Sequence, residues 1–130
     1  MEALCARLQD KNEAGMYRLN CPPDELRRAI AQTGFALFEA DLAAAQGKKR
    51  FLAAVAQAVK APKWFGHNWD ALADALGDLT WQLAPGYVLL LRGGETLGLS
   101  AADHEIATEI LAGTVSFWKA QGKPFWIFYC

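Results

Sequence analysis

The apolar residues of this chain alternate between two patterns. Short continuous apolar runs are typical of strands that are buried on both faces of a parallel sheet. Such runs occupy Tyr87 to Leu91 and Phe125 to Tyr129, and a mixed run from Phe35 to Leu42 also predicts a strand. A weaker stretch from Gly15 to Asn20 is a candidate first strand. The chain therefore carries three or four predicted strands.

Segments with helical spacing separate these runs. Pro22 to Glu25 predicts a helix start, because proline is tolerated in the first turn and acids favour the positive end of the dipole. Apolar residues then recur at helical spacing until Gly34. Lys48 to Lys60 and Ala101 to Gln121 predict two further helices. The apolar face of the first of these consists of Phe51, Leu52, Val55 and Val59. Strands joined through helices predict right-handed crossovers and a mostly parallel sheet.

The segment from Pro62 to Asp78 joins an aromatic turn to a short helix with two different faces. Each helical residue advances by about 100° around the helix axis. Measured from Trp69, the leucines fall in a stripe that spans roughly 280° to 340°. The aspartates fall at roughly 100°, 140° and 180°, on another face. The leucines are Leu72, Leu76 and Leu79; the aspartates are Asp70, Asp74 and Asp78. Like charges four residues apart destabilise a helix by about 0.2–0.5 kcal/mol per pair, so folding alone does not explain this face.

Each aspartate also has a structural explanation. Asn68 is a predicted N-cap, which places Asp70 in the first turn, where the helix dipole favours a negative charge. Asp74 lies in the middle of the helix and has no capping role, so its alternative is an ordinary solvated face. Asp78 follows Gly77 and can already lie beyond the helix end. Together the three carboxylates predict a surface for a cationic partner.

Aromatic residues flank the same turn. Trp64 and Trp69 lie on either side of Gly66. For each of them, packing in the core and contact with a partner are equal alternatives. Partner contact is included because tryptophan is enriched in interface hot spots. Base stacking on these rings would bring nucleic-acid phosphates close to the aspartates, so direct nucleic-acid binding is not predicted. His67 is interpreted as a helix-start or interface residue and not as a catalytic base.

The run Trp64-Phe65-Gly66-His67-Asn68-Trp69-Asp70-Ala71-Leu72-Ala73-Asp74 resembles the signature of the barstar family, the small intracellular inhibitors of barnase-type ribonucleases. That signature is an aromatic pair, glycine, a variable residue, asparagine, an apolar residue and D-A-L-x-D. The likeness extends from about Phe35 to the C-terminus. It implies an α/β fold with a barstar-like three-stranded parallel sheet and packed helices over residues 35–130. Residues 1–34 are then an N-terminal extension, an extra strand–helix unit packed on the same domain.

The resemblance also implies a function and a site. A barstar-like protein blocks the cationic active-site cleft of a cognate ribonuclease with an acidic helix and flanking aromatic residues. Asp74 corresponds to the family residue that enters the phosphate site of the ribonuclease. Ala73 stands where the best-known inhibitor has tryptophan, Leu79 replaces an aromatic residue, and Phe117 falls near a family glutamate, so a ribonuclease other than barnase is an open alternative. The implied partner-binding residues are Trp64, His67, Asn68, Trp69, Asp70, Ala73, Asp74 and Asp78.

Composition adds limits to this picture. A chain of 130 residues that is 53% hydrophobic is expected to form one folded domain. Its start lacks the basic and apolar regions of a signal peptide, and no apolar run is long enough to span a membrane. Cys5, Cys21 and Cys130 are an odd number without metal-ligand spacing, which predicts reduced thiols and a cytoplasmic protein. The net charge of −1 means that attraction to a basic partner must come from a local patch.

No catalytic set, metal site or cofactor site emerges from the sequence. Asp103, His104 and Glu105 are consecutive and would diverge by about 100° each on a helix, which does not suit one metal. The loop from Arg92 to Gly98 lacks both common phosphate-loop spacings. Two alternatives to ribonuclease inhibition stay open: an immunity or regulatory module for another partner, and a small enzyme or ligand-binding protein using Gly93 and Gly94. The sequence does not indicate the oligomeric state.

Overall fold

The computed structural model describes residues 2–19, 23–43, 46–63 and 66–130. These ranges contain five helices and four strands, and every strand pairing is parallel, in the order β1-β4-β3-β2. The elements are α1 (Glu2–Leu8), β1 (Met16–Arg18), α2 (Asp24–Ala31), β2 (Ala36–Asp41), α3 (Lys48–Ala58), α4 (Trp69–Leu76), β3 (Tyr87–Arg92), α5 (Ala101–Ala120) and β4 (Phe125–Tyr129).

Helices cover both faces of this sheet. Successive residues of β3 alternate between the faces, so Leu89 and Leu91 pack with α3, α4 and α5, while Val88 and Leu90 pack with α1 and α2. Burial on both faces explains why β3 and β4 are continuous apolar runs. The candidate helix α4 therefore lies on the face opposite to the N-terminal helices.

The strand order accounts for this division. The chain passes from β1 at one edge to β2 at the other and then returns one strand at a time through β3 to β4. When the direction of travel reverses while the hand of the crossover stays the same, the connecting helices change face. This is why α2 lies on one face and α3, α4 and α5 lie on the other.

Three tryptophans attach helix ends to the rest of the fold. Each indole N–H donates to a carbonyl at the C-terminal end of a helix, where no intrahelical donor is present. The pairs are Trp126 to Leu8 of α1 at 2.8 Å, Trp81 to Val59 after α3 at 2.8 Å, and Trp118 to Leu76 of α4 at 2.7 Å. One carbonyl at the C-terminal end of each of these helices is thereby satisfied by a donor from elsewhere in the fold.

The predicted mixed α/β architecture with a parallel sheet is confirmed, and β1 and α2 form the predicted N-terminal strand and helix. Two differences stand out. Helix α1 was not predicted, and α4 ends at Leu76, so Leu79 lies beyond the helical stripe to which it was assigned. Leu79 is nevertheless fully buried and has a left-handed φ of 53°, because the chain turns there immediately after the helix.

The prediction of three reduced thiols is wrong for Cys130, which is disulfide-bonded. Cys5 is a free, half-buried cysteine, and Cys21 lies outside the described residues. The spacing of cysteines along a chain does not say which of them the fold brings together, and that is why the prediction failed. In the described ranges, no helix is long and apolar enough to cross a membrane.

Tyr87 at the start of β3 is the one buried residue with an unsatisfied side-chain polar atom in the described part of the chain. Its ring is fully buried and packs against Phe38, Trp118 and Phe125. Burial raises the pKa of the Tyr87 hydroxyl, and the Ala84 backbone, which lies nearby but outside hydrogen-bonding geometry, offsets part of that rise. The neutral hydroxyl is therefore favoured in the folded state.

We expect Tyr87→Phe to keep or raise the free energy of unfolding at pH 7, by up to about 1–3 kcal/mol, because an unpaired buried hydroxyl costs roughly that much. The folded-state pKa lies above the unfolded value, so the stabilisation linked to the neutral hydroxyl is complete below about pH 10 and is lost as the pH rises through the folded pKa. Tyr87→Phe should flatten this alkaline loss. Urea unfolding at neutral and alkaline pH measures both effects.

The control is Tyr87→Leu, which removes the ring and should lose stability at both pH values through a core cavity. A clear loss of stability in Tyr87→Phe at pH 7 would show instead that the hydroxyl has a partner.

Candidate functional site

Helix α4 begins at a side-chain cap. The Asn68 Oδ1 accepts a hydrogen bond of 2.7 Å from the Ala71 backbone N–H, and Asn68 itself has extended backbone angles. His67 precedes it with a left-handed φ of 54° and turns the chain into the helix. The predicted N-cap is confirmed. The Asn68 side chain is thus engaged in forming the helix, although it is exposed.

One face of α4 is fixed in the core. Leu72, Ala75 and Leu76 are buried beneath the sheet-facing side of the helix. Trp69 is half-buried, and its ring centroid lies 6.0 Å from that of Phe51. The Lys48 Nζ lies 5.5 Å from the Trp69 ring centroid, within the range of a cation–π contact. Trp69 therefore packs against its own fold while part of the side chain stays accessible.

The opposite face of α4 carries carboxylates without internal partners. Asp70, Ala73 and Asp74 are exposed. The ion pairs in the described part of the chain are Arg7–Glu13, Arg18–Glu95, Arg27–Asp24 and Arg27–Glu39, and none involves α4. Asp70 and Asp74 are one turn apart, which places their Cβ atoms about 5–6 Å from each other. This face therefore presents a concentrated negative charge to solvent.

Asp78 does not continue this helical row. The helix ends at Leu76 with Gly77 as its C-cap, and Asp78 lies in the following turn, where its backbone N–H donates to the Ala75 carbonyl at 3.2 Å. Its side chain is half-buried. The alternative left open by the sequence, that Asp78 lies past the helix end, is the observed one.

A groove runs between α4 and α5 beside the carboxylates. It has a volume of about 410 Å³. Its lining, which we call the α4–α5 groove, includes Ala73, Asp74, Gly77, Ile110, Gly113 and Phe117. The groove was not predicted from the sequence, because its two walls lie more than thirty residues apart in the chain. Among its lining residues only Phe117 stood out, as a departure from the family pattern.

The structure brings most of the predicted site residues onto one surface. His67, Asn68, Asp70, Ala73 and Asp74 are exposed along α4 and its first turn, and Trp69 and Asp78 flank them half-buried. Trp64 lies outside the described residues. Whether these residues contact a partner stays a prediction.

The loop after β3 is occupied by the fold's own hydrogen bonds. The backbone N–H groups of Gly93 and Gly94 both donate to the Cys130 carbonyl, at 2.9 and 2.8 Å. The His104 Nε2 lies 3.0 Å from the Glu95 carbonyl oxygen. Within the described ranges, no group of three or more His, Cys, Asp or Glu side chains is placed to hold a metal ion. The glycine amides are therefore not directed at a phosphate.

Residues 35–130, about three quarters of the chain, match the family described as Barstar (barnase inhibitor). The chain belongs to the barstar family. No curated protein and no solved structure matches it significantly. The match begins at the residue before β2, so α1, β1 and α2 precede the family region.

We expect Asn68→Ala to lower the free energy of unfolding by about 0.5–2 kcal/mol, because it removes the acceptor that satisfies the Ala71 N–H. Asn68→Asp is the matched control, since it keeps an acceptor and places a negative charge at the favourable end of the dipole. Urea unfolding of the three proteins measures the difference. Equal stability of Asn68→Ala and wild type would mean that water replaces the cap without cost.

Proposed function

We propose that this protein inhibits a cognate ribonuclease by covering its active-site cleft with α4, in the manner of an immunity or antitoxin protein. The observation that carries the proposal is the pair of exposed carboxylates, Asp70 and Asp74, which have no ion-pair partner in the described structure. Membership of a family described as barnase inhibitors supports it.

The inhibition follows from charge and rigidity. A ribonuclease cleft is a cationic groove for phosphates, so carboxylates held on a helix can take the positions of phosphate groups. Asp74, in the middle of α4, enters the cleft, and Asp70 adds negative charge one turn earlier. A helix that is already fixed loses little conformational freedom on binding, which improves affinity.

The neighbouring residues shape the contact. Ala73 is small and exposed beside Asp74, so a partner can approach the helix backbone closely there. Trp69 and His67 supply aromatic surface at the start of the helix, and Asp78 extends the negative charge beyond its end. Trp64, which lies outside the described residues, is a further predicted contact. We propose this set, with Asn68 holding the helix start, as the partner-binding surface.

The described helices of the N-terminal extension leave α4 clear. Helices α1 and α2 pack on the face of the sheet opposite to α4. We propose that residues 1–34 complete the same domain and that residues 35–130 form the inhibitor unit.

A cytoplasmic location stays a prediction. It was based on the lack of signal-peptide features and on reduced thiols, and the disulfide at Cys130 removes the second of these reasons.

A different basic partner on the same surface is the second candidate. It is favoured by Ala73 and Phe117, where the sequence departs from the family residues. A ligand-binding role at Gly93 and Gly94 has less support, because both backbone amides bond to Cys130.

The direct test is titration of barnase and other small basic ribonucleases with the pure protein. We expect RNA hydrolysis to fall in proportion to added protein until one molecule is present per enzyme, and the protein alone should not cleave RNA. Full ribonuclease activity at a large molar excess, with no complex detected by calorimetry, would contradict inhibition. Saturable RNA cleavage by the pure protein would contradict it as well.

Asp74→Ala should weaken binding to the inhibited ribonuclease by about 2–5 kcal/mol, because cationic groups in the cleft would be left buried and unpaired; this scale comes in part from the barnase–barstar pair itself. The same change should leave stability unchanged or slightly higher, since it removes like-charge repulsion with Asp70 and adds a better helix former. Titration calorimetry and thermal unfolding measure the two effects.

Leu72→Ala, on the buried face of the same helix, is the matched control. It should lower the free energy of unfolding by about 2–5 kcal/mol through a core cavity while the folded variant binds with nearly wild-type affinity. If Asp74→Ala binds like wild type, or unfolds much more easily, its carboxylate has a structural role and this assignment fails.

Association with the ribonuclease should slow as salt rises from 0.1 M to 1 M, because the screening length falls from about 10 Å to about 3 Å. The net charge of −1 predicts a smaller effect than for a strongly acidic inhibitor. The double variant Asp70→Asn with Asp74→Asn should flatten the dependence in stopped-flow measurements. A rate that salt does not change in the wild type would argue against electrostatic steering.

A further inference from the structure

Basic residues are concentrated in one stretch of the chain, which contains no aspartate or glutamate between residues 42 and 69. The basic residues of this stretch are all exposed, and none takes part in the ion pairs of the described structure. They are Lys48, Lys49, Arg50, Lys60 and Lys63. The Lys48 Nζ already lies over the Trp69 ring, which leaves four cations for a partner.

The outer face of α3 connects these cations. Measured from the first helical residue at about 100° per residue, Lys49 and Arg50 fall at roughly 100° and 200°. Ala53 and Gln57 fall between them, at roughly 140° and 180°. All four residues are exposed, so a solvent-facing surface runs from the basic first turn along the helix.

A hollow with basic walls continues this surface at the other end of α3. It has a volume of about 440 Å³, and Ala53 and Gln57 are among its lining residues. Lys60, Lys63 and His67 also line it, and its described lining contains no carboxylate. The rest of the lining is alanine and proline, so the floor between the cations is uncharged. The surface that joins these cations is called the basic strip below; its cations are Lys49, Arg50, Lys60 and Lys63.

The stability of α3 does not explain the positive charge at its start. The helix dipole favours acidic residues in the first turn, and α3 has none there. The N-cap is Gly47, which provides no side-chain cap, so the first-turn amides add positive partial charge beside Lys49 and Arg50. An anionic ligand at this end of the strip would be stabilised by the amides and the side chains together.

Carboxylates lie on both sides of the basic strip. On one side, Asp70 of α4 follows three residues after His67, which lines the hollow. On the other side, Gln57 also borders a second hollow, whose lining includes Glu39 and Asp41 of β2. A duplex laid on the strip would bring its second strand close to one of these acidic flanks. A single phosphate chain is narrow enough to lie between them.

We propose that the basic strip binds the phosphate backbone of a single-stranded nucleic acid. Lys49 and Arg50 contact phosphates at one end, and Lys60 and Lys63 contact them at the other. The strip is about 14 Å long from Lys49 to the end of α3, which is enough for a few consecutive phosphates. Contacts to the backbone carry no sequence information, so this binding is not sequence-specific.

A nucleic-acid strand suits the strip better than an acidic protein segment does. Its charges lie on the backbone at regular intervals, and each neutralised phosphate releases condensed counterions. The acidic side chains of a protein would have to be ordered one by one, which costs conformational entropy. The inference does not rest on the proposed function, because the strip lies on α3 and its binding is measured without any ribonuclease.

The test is fluorescence anisotropy of the full chain with labelled oligouridylate and oligothymidylate of about twelve nucleotides. We expect saturable binding of similar strength to both at about 20 mM salt. If each cation of the strip neutralises one phosphate, log affinity should fall with log salt at a slope of about −2.8. Absent or non-saturable binding, or an affinity that salt does not change, would overturn the proposal.

Two competitors identify the class of ligand. An oligoglutamate with the same number of charges should displace the oligonucleotide about tenfold less effectively, because it releases fewer condensed counterions. A duplex of the same length should also compete less well than the single strand. Equal or better displacement by either competitor would contradict a site for a single phosphate chain.

Paired variants locate the binding. Lys49→Gln with Lys60→Gln should weaken binding about tenfold at low salt and reduce the steepness of the salt dependence by about 1.4, because two phosphate contacts are lost. Lys11→Gln with Arg28→Gln is the matched control, since it removes two exposed cations outside the strip and should bind like wild type. Equal weakening in the two proteins would show a response to net charge alone and would overturn the proposal.

Thermal unfolding verifies that each variant is folded. Arg50→Gln with Lys63→Gln removes the other two cations of the strip and carries the test if the first pair does not fold. It should weaken binding to a similar extent. Wild-type affinity in a folded variant of either pair would contradict the assignment of the strip.

Discussion

An isolated helix of eight residues does not hold its shape in water, so the candidate site on α4 depends on the contacts that fix this helix. The Trp118 indole holds its last carbonyl, the Asn68 side chain caps its first turn, and Leu72 anchors its middle in the core. The hydrogen bond from Trp118 also sets the spacing of α4 and α5. The carboxylate face and the neighbouring groove therefore depend on the same contact.

The sheet separates the N-terminal helices from the candidate binding surface on α4. The N-terminal helices cover one face, where Trp126 ties α1 to β4, and α4 lies on the other with an uncompensated pair of carboxylates. The repulsion between Asp70 and Asp74 is a local feature of this surface, because the net charge of the whole chain is only −1. Unfavourable local features, such as like charges one turn apart, are typical of a functional site when they are confined to one surface and the core is regular.

The sequence predicted those parts of the structure that depend on local pattern. The buried strands β3 and β4, the apolar face of α3 and the Asn68 cap all leave regular signals over a few residues. Helix α1 does not, because its seven residues are held by a hydrogen bond from Trp126, far away in the chain. The groove and the Cys130 disulfide likewise depend on which distant segments the fold brings together.

Inhibition by a preformed surface requires that α4 is already rigid before any partner binds. Amide hydrogen exchange of the free protein measures this rigidity at Leu72 and Gly77, whose backbone N–H groups donate within the helix at 3.0 Å. We expect protection approaching that of β3, since opening α4 would break the core and the Trp118 contact. Rapid exchange at both amides, while β3 stays protected, would contradict a preformed binding surface.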